Sequence, residues 1–192
     1  RYLRPKTPVV SASKGIENDS LALMSEVLGP LLPGHPLAFL GGPSFAKEVA
    51  LHLPTAVVIG TKEAELGAEL QRLFSCDWLR AYVTTDVVGV ELGGALKNVV
   101  AIACGCSDGL GFGNNTRAAI ITRGLAEITR MASKLGADPP TLAGLGGLGD
   151  LILTCTGDLS RNRRVGLGLG QGKTLSAILT EMGQVAEGVR TA

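Results

Sequence analysis

Leu79-Arg80-Ala81-Tyr82-Val83-Thr84-Thr85-Asp86-Val87-Val88-Gly89-Val90-Glu91-Leu92 is where the periodicity of the chain changes. Before Thr84, short apolar runs alternate with helical stretches. Pro8–Ala12, Leu37–Leu40, Ala56–Ile59 and Leu79–Val83 read as strands, and 21–32, 45–51 and 63–75 read as helices between them. Strands spaced by helices predict a parallel sheet in an α/β domain. From Asp86 onward the pattern is helical only, over Val87–Gly105, Thr116–Leu135 and Leu175–Met182, with Asn115 or Thr116 as the expected N-cap of the second of these. The fold expected is therefore α/β followed by all-α, with the boundary near Thr84–Asp86.

Lys97 lies just past that boundary and is the only charge between Leu92 and Cys106. An ammonium set in such a run must snorkel to the surface, face a cleft, pair with an acid, or give up its proton readily. The last of these makes a general base. Ligands of open sheets bind at the carboxyl ends of strands. Two loops qualify, Lys14-Gly15 after the first strand and Gly41-Gly42-Pro43-Ser44 after the second, although each alone also reads as a turn with a solvated lysine. Ser160-Arg161-Asn162 sets a hydroxyl, a guanidinium and an amide side by side, the groups that grip a phosphate, or else the exposed start of a basic helix. By spacing alone, Asp150 reads as a helix cap.

Composition bounds the function. The chain has 192 residues, 45% of them hydrophobic, with a net charge of +1, so neither a nucleic acid nor a charged membrane surface is the expected partner. A small molecule is. Four cysteines without a CxxC pair, and His35 and His52 apart from most of them, predict no metal site and a reducing compartment. No apolar run reads as long enough to span a bilayer. Gly166–Thr174 imitates a phosphate-binding loop, but Leu167 stands where glycine is required, and Gly109, Gly111 and Gly113 have the wrong spacing for a dinucleotide fingerprint.

Several segments together resemble the bacterial-type NAD(P)-dependent glycerol-3-phosphate dehydrogenases. They are Ser13-Lys14-Gly15, Gly-Gly-Pro-Ser-Phe-Ala-Lys-Glu at 41–48, Val-Glu-Leu-Gly-Gly-Ala-Leu-Lys-Asn-Val at 90–99, Asp-Gly-Leu-Gly-Phe-Gly-Asn-Asn-Thr-Arg-Ala-Ala at 108–119, Gly-Leu-Gly-Asp-Leu at 147–151, Leu-Thr-Cys-Thr-Gly-Asp-Leu-Ser-Arg-Asn-Arg at 153–163, and Gln-Val-Ala-Glu-Gly at 184–188. The resemblance implies the second half of a Rossmann-like NAD(P)-binding sheet domain over 1–84. It implies a helical substrate domain, like that of 6-phosphogluconate dehydrogenase and truncated at its C-terminus, over 85–192. The implied reaction interconverts sn-glycerol 3-phosphate and dihydroxyacetone phosphate with NAD or NADP and feeds glycerophospholipid synthesis.

Lys97 matches the lysine that takes the C2 hydroxyl proton. Lys14, Gly42, Ser44, Asp150, Ser160, Arg161 and Asn162 match substrate-binding positions, and Lys14, Ala46, Arg161, Val185 and Glu187 match cofactor contacts. The resemblance further implies a cytoplasmic enzyme, or a plastid one in an alga or plant, and a homodimer is expected at full length as the commonest homo-oligomer. The glycine fingerprint that binds the dinucleotide pyrophosphate does not occur in these residues, and the chain starts with Arg1. A fragment that binds NAD(H) poorly, turns over little and leaves a sheet edge open to aggregation is the expectation. A nucleotide hydrolase, a helical dimerisation module and a dehydrogenase of 3-hydroxy acids are the competing readings.

Overall fold

The computed structural model describes residues 3–192. Four strands come first, β1 (Val9–Ser11), β2 (Leu37–Gly41), β3 (Thr55–Gly60) and β4 (Leu79–Thr84), with α1 (Met24–Leu31), α2 (Ala46–Ala50) and α3 (Ala64–Phe74) between them. Among the described residues no strand follows Thr84. The helices are α4 (Val87–Gly109), α5 (Gly113–Lys134), α6 (Pro139–Ala143), α7 (Asp150–Thr156), α8 (Arg161–Gly170), α9 (Leu175–Met182) and α10 (Gly188–Thr191), and a π-helical turn, Leu145–Gly149, runs straight into α7. The α/β-then-helical order is the one expected.

The sheet has the order β1-β2-β3-β4, and β1–β2 and β3–β4 pair in parallel. The middle pair differs from the expectation: β2 and β3 are antiparallel. A parallel return needs a crossover of a dozen residues or more, usually built on a helix that spans the sheet. The five-residue α2 is too short for that, so the chain reverses and pairs directly. Ala38, Val57, Ile59 and Ala81 on the sheet pack with Leu66 and Leu70 of α3, one helical turn apart.

The second core surrounds α4, whose Leu92, Ala101 and Cys104 pack with Ile128 and Ala132 of α5, Leu142 of α6 and Leu151 and Cys155 of α7. Asp86 starts α4 by accepting the Gly89 amide at 2.8 Å. At 23 residues α4 is in fact long and apolar enough to cross a bilayer, contrary to the sequence expectation, yet two thirds of its most apolar stretch is buried against other helices. It is a core helix. The expected N-cap of α5 also moves. Gly111 and Gly113, at φ +77 and +80, turn the chain sharply enough for the helix to restart at Gly113, and Thr116 instead bonds back to the Phe112 carbonyl at 3.2 Å. The phosphate-loop imitation is helix over Gly166–Gly170, as its failed spacing required.

α8 lies backbone to backbone on α4. A Cβ on Gly166 would meet the Ile102 carbonyl oxygen at 1.9 Å, and one on Gly105 would meet that of Arg163 at 2.0 Å. The contact fixes where the first turn of α8 stands relative to Lys97. A Gly166→Ala substitution is expected to destabilise the protein by about 3 kcal/mol or more, read as a lower urea midpoint, because neither backbone can yield.

Candidate active site

The parallel pairing of β1 with β2 sends both loops that follow them to the same sheet edge, so Lys14 and the Gly42–Ala46 turn stand together. Helices α4, α7 and α8 close the other side. Between them lies a cleft of ≈ 990 Å³ lined by Lys14, Ser44, Ala46, Lys97, Ser160, Arg161, Asn162 and Glu187, among others. Eight sequence-predicted site residues therefore share one cavity.

Asp150 is the hinge of its floor. Its carboxylate, 1% exposed, accepts Lys97 Nζ on Oδ1 at 2.5 Å and Lys14 Nζ on Oδ2 at 2.7 Å. Lys14 Nζ also donates to the Gly42 carbonyl at 2.9 Å, which places Gly42 in the site through its backbone. The cap expected of Asp150 from spacing is absent, since both oxygens are taken by ammonium groups from elements remote in sequence. Thr154, one turn on, donates to the Asp150 carbonyl at 2.6 Å and lines the cleft.

Burial pushes Lys97 down from the ordinary lysine range to about 8; the Asp150 charge opposes this and the Lys14 charge adds to it. Lys97 is thus a buried amine able to hold or release a proton near neutral pH. Farther up α4, buried Glu91 accepts the Ser25 amide at 2.8 Å and its hydroxyl at 2.6 Å, tying the start of α1, and with it the end of the Lys14 loop, to the helix.

A chain of buried amides joins the two walls. Asn98 Nδ2 donates to the Lys14 carbonyl at 3.3 Å, Asn162 Nδ2 donates to Asn98 Oδ1 at 2.9 Å, and the Gly188 amide donates to Asn162 Oδ1 at 2.9 Å. Asn98 and Thr154 were missed by the sequence reading. The adjacency of Asn98 to Lys97 and the four-residue step from Asp150 to Thr154 were the available signals. Ser160 is the N-cap of α8, its Oγ accepting the Arg163 amide at 3.2 Å, so the expected helix start and the cleft position coincide. Arg161 meets Glu187 at 3.0 Å at the cleft mouth. Val185 is not brought in: it is 71% exposed and lines no part of the cleft. No cluster of three His, Cys, Asp or Glu side chains suited to a metal occurs among the described residues.

Family models for the C-terminus and the N-terminus of NAD-dependent glycerol-3-phosphate dehydrogenase match residues 86–192 and 1–67. The chain belongs to the NAD-dependent glycerol-3-phosphate dehydrogenase family. It is 60% identical over 193 residues to the glycerol-3-phosphate dehydrogenase [NAD(P)+] of Citrifermentans bemidjiense and 58% identical to that of Leptospira biflexa, covering 99% of this chain and 58% of each relative. Among solved glycerol-3-phosphate dehydrogenases, that of Coxiella burnetii superposes with a TM-score of 0.93 at 44% identity, over 97% of this chain and 57% of that one. The Saccharomyces cerevisiae structure does so with 0.86 at 32%, over 96% and 56%. The chain thus spans 58% of the length of the curated family members named above.

The opposing influences on Lys97 yield a test. In an NMR titration of its side-chain nitrogen the midpoint should fall near 8. Asp150→Asn, by removing the one charge that holds the proton on, should move it lower still; a rise would contradict the assigned balance.

Proposed function

We propose that the full-length protein interconverts sn-glycerol 3-phosphate and dihydroxyacetone phosphate with NAD or NADP, supplying glycerol 3-phosphate for glycerophospholipid synthesis. The observation that carries this reading is the buried Lys97–Asp150–Lys14 group at the floor of a cleft whose far wall is Ser160-Arg161-Asn162. One end of the cleft moves a proton and the other receives an anion. Residues 1–84 act in this reading as the second half of the cofactor domain and 85–192 as the substrate domain.

Neutral Lys97 takes the proton of the C2 hydroxyl during oxidation and, as the ammonium, returns it to the carbonyl oxygen during reduction. Asp150 orients Lys97 and balances its charge whenever the proton is present. Lys14, fixed by Asp150 and by the Gly42 carbonyl, keeps a positive charge beside the reacting oxygen and favours the unprotonated form of Lys97. Arg161 offers a planar donor fork to the phosphate, with Ser160 and Asn162 beside it and Gly42 and Ser44 on the sheet side.

NAD(P), when bound, would supply the hydride acceptor or donor for C2. Lys14, Ala46, Arg161 and Glu187 would hold it. The fit is supported by their common place at the carboxyl ends of the parallel pair β1–β2, where open sheets take dinucleotides, in a cleft much larger than a triose phosphate. The bacterial sources of the relatives support a cytoplasmic location, and a homodimer at full length follows the commonest form of homo-oligomer.

The direction of the Lys97 shift fixes the pH dependence. Below about 8 the ammonium form dominates, so reduction of dihydroxyacetone phosphate should be strongest there and fall as pH rises through that value, whereas oxidation of glycerol 3-phosphate should rise across the same range. Lys97→Ala should lower both by about 10²–10⁴-fold, followed by NADH or NADPH absorbance on the full-length protein. Undiminished turnover in the variant would remove the assignment.

A further inference from the structure

Asp108, near the end of α4 and about three turns from Lys97, lies outside the cleft lining, and its carboxylate is 6% exposed. Two guanidinium groups converge on it. Arg163 gives Nε and Nη2 to Oδ2 at 2.9 and 2.8 Å, and Arg117 gives Nε and Nη2 to Oδ1 at 2.9 and 2.7 Å. The remaining nitrogen of Arg163, Nη1, donates to Asp158 Oδ1 at 2.8 Å. The Arg163 backbone amide in turn reaches Ser160 Oγ, and the Ser160 amide reaches the Gly157 carbonyl at 3.1 Å.

Every polar atom of the Arg163 side chain is thus spent on α4 and on the turn that precedes α8. That turn, with the first helical residues after it, presents Ser160, Arg161 and Asn162 to the cleft. We propose that Asp108 is a positioning residue: acting through Arg163 it holds the Ser160-Arg161-Asn162 wall at the distance a phosphate requires from Lys97. This rests on the proposed function, which makes that wall the phosphate site.

The chemistry favours a clamp over a simple surface ion pair. Exposed pairs contribute little and tolerate loss, but Asp108 and Arg163 are both nearly buried, and each arginine converges two charge-assisted donors on its own oxygen, so the one carboxylate is divided between the two guanidinium groups. Without the Asp108 charge, Arg117 and Arg163 would face one another with only Asp158, 96% exposed, to compensate, and the Arg163 side chain would leave for solvent. The turn would lose its tie to α4. Lys97, Asp150 and Lys14 share no contact with the clamp and would keep their geometry.

The test compares dihydroxyacetone phosphate with dihydroxyacetone, which lacks the phosphate, in the full-length protein carrying Asp108→Asn or Asp158→Asn. Asp108→Asn should lower kcat/KM for the phosphate ester by on the order of tenfold to hundredfold, mostly in KM, and leave turnover of dihydroxyacetone and the pH midpoint near 8 unchanged. Asp158→Asn, at an exposed carboxylate that also lines the cleft, should show a smaller loss of the same selectivity, and it decides the matter if the first variant does not fold, because removing a negative charge beside the phosphate would by itself tighten phosphate binding and only a slackened clamp lowers it. Equal losses on both substrates, or none on either, would overturn the clamp alone. No turnover of dihydroxyacetone phosphate by the unaltered protein would overturn the functional reading beneath it.

Discussion

A single carboxylate shared by two ammonium groups is the constraint on which this structure turns. Burying Asp150 alone would cost several kcal/mol, and burying Lys97 alone would cost a similar amount. Together with Lys14 they form a cluster with one net positive charge, closed by the Gly42 carbonyl, and the cluster is built from three separate places: the loop after β1, the middle of α4 and the start of α7. Satisfying one carboxylate therefore pins the sheet loop to the helices and forms the cleft. The same constraint leaves Lys97 short of compensation, which is why its proton is loosely held.

α4 carries that arrangement. Its N-terminal half packs against the sheet through Val90, beside Gly41 and Gly60, and its C-terminal half takes α8 at backbone contact. Lys97 and the start of α8, the two ends of the proposed substrate path, are thus held on one rigid helix. Four buried polar side chains along it are paired in kind, Glu91 with Ser25, Lys97 with Asp150, Asn98 with Lys14 and Asn162, and Asp108 with two arginines, whereas the buried Ser107 hydroxyl has no partner. These pairs draw the start of α1, the Lys14 loop, α5, α7 and α8 onto the helix.

Much of this was legible in the sequence because the relevant signals were local. A lone lysine in an apolar run marked Lys97, the loss of strand periodicity at Thr84 marked the change of architecture, and β-run spacing placed all four strands close to where they lie. What could not be read was set by distance or by length. The pairing of Asp150 with Lys97 spans 53 residues and leaves no mark on spacing, so Asp150 looked like a cap. The antiparallel β2–β3 pair depended on how short α2 is. Glycine-rich α8 and the π-helical turn before α7 carry poor intrinsic helix propensity and exist because α4 accepts their backbones closely, a tertiary fact. Val185 rested on family resemblance alone, and its side chain is exposed outside the cleft lining.

The most direct measurement of the central claim is a crystal structure of the full-length protein with NAD and glycerol 3-phosphate. The C2 hydroxyl is expected within hydrogen-bonding distance of Lys97 Nζ, with Asp150 still holding both lysines and the phosphate on the Ser160-Arg161-Asn162 wall. A substrate seated elsewhere, with Lys97 turned only toward Asp150, would contradict it.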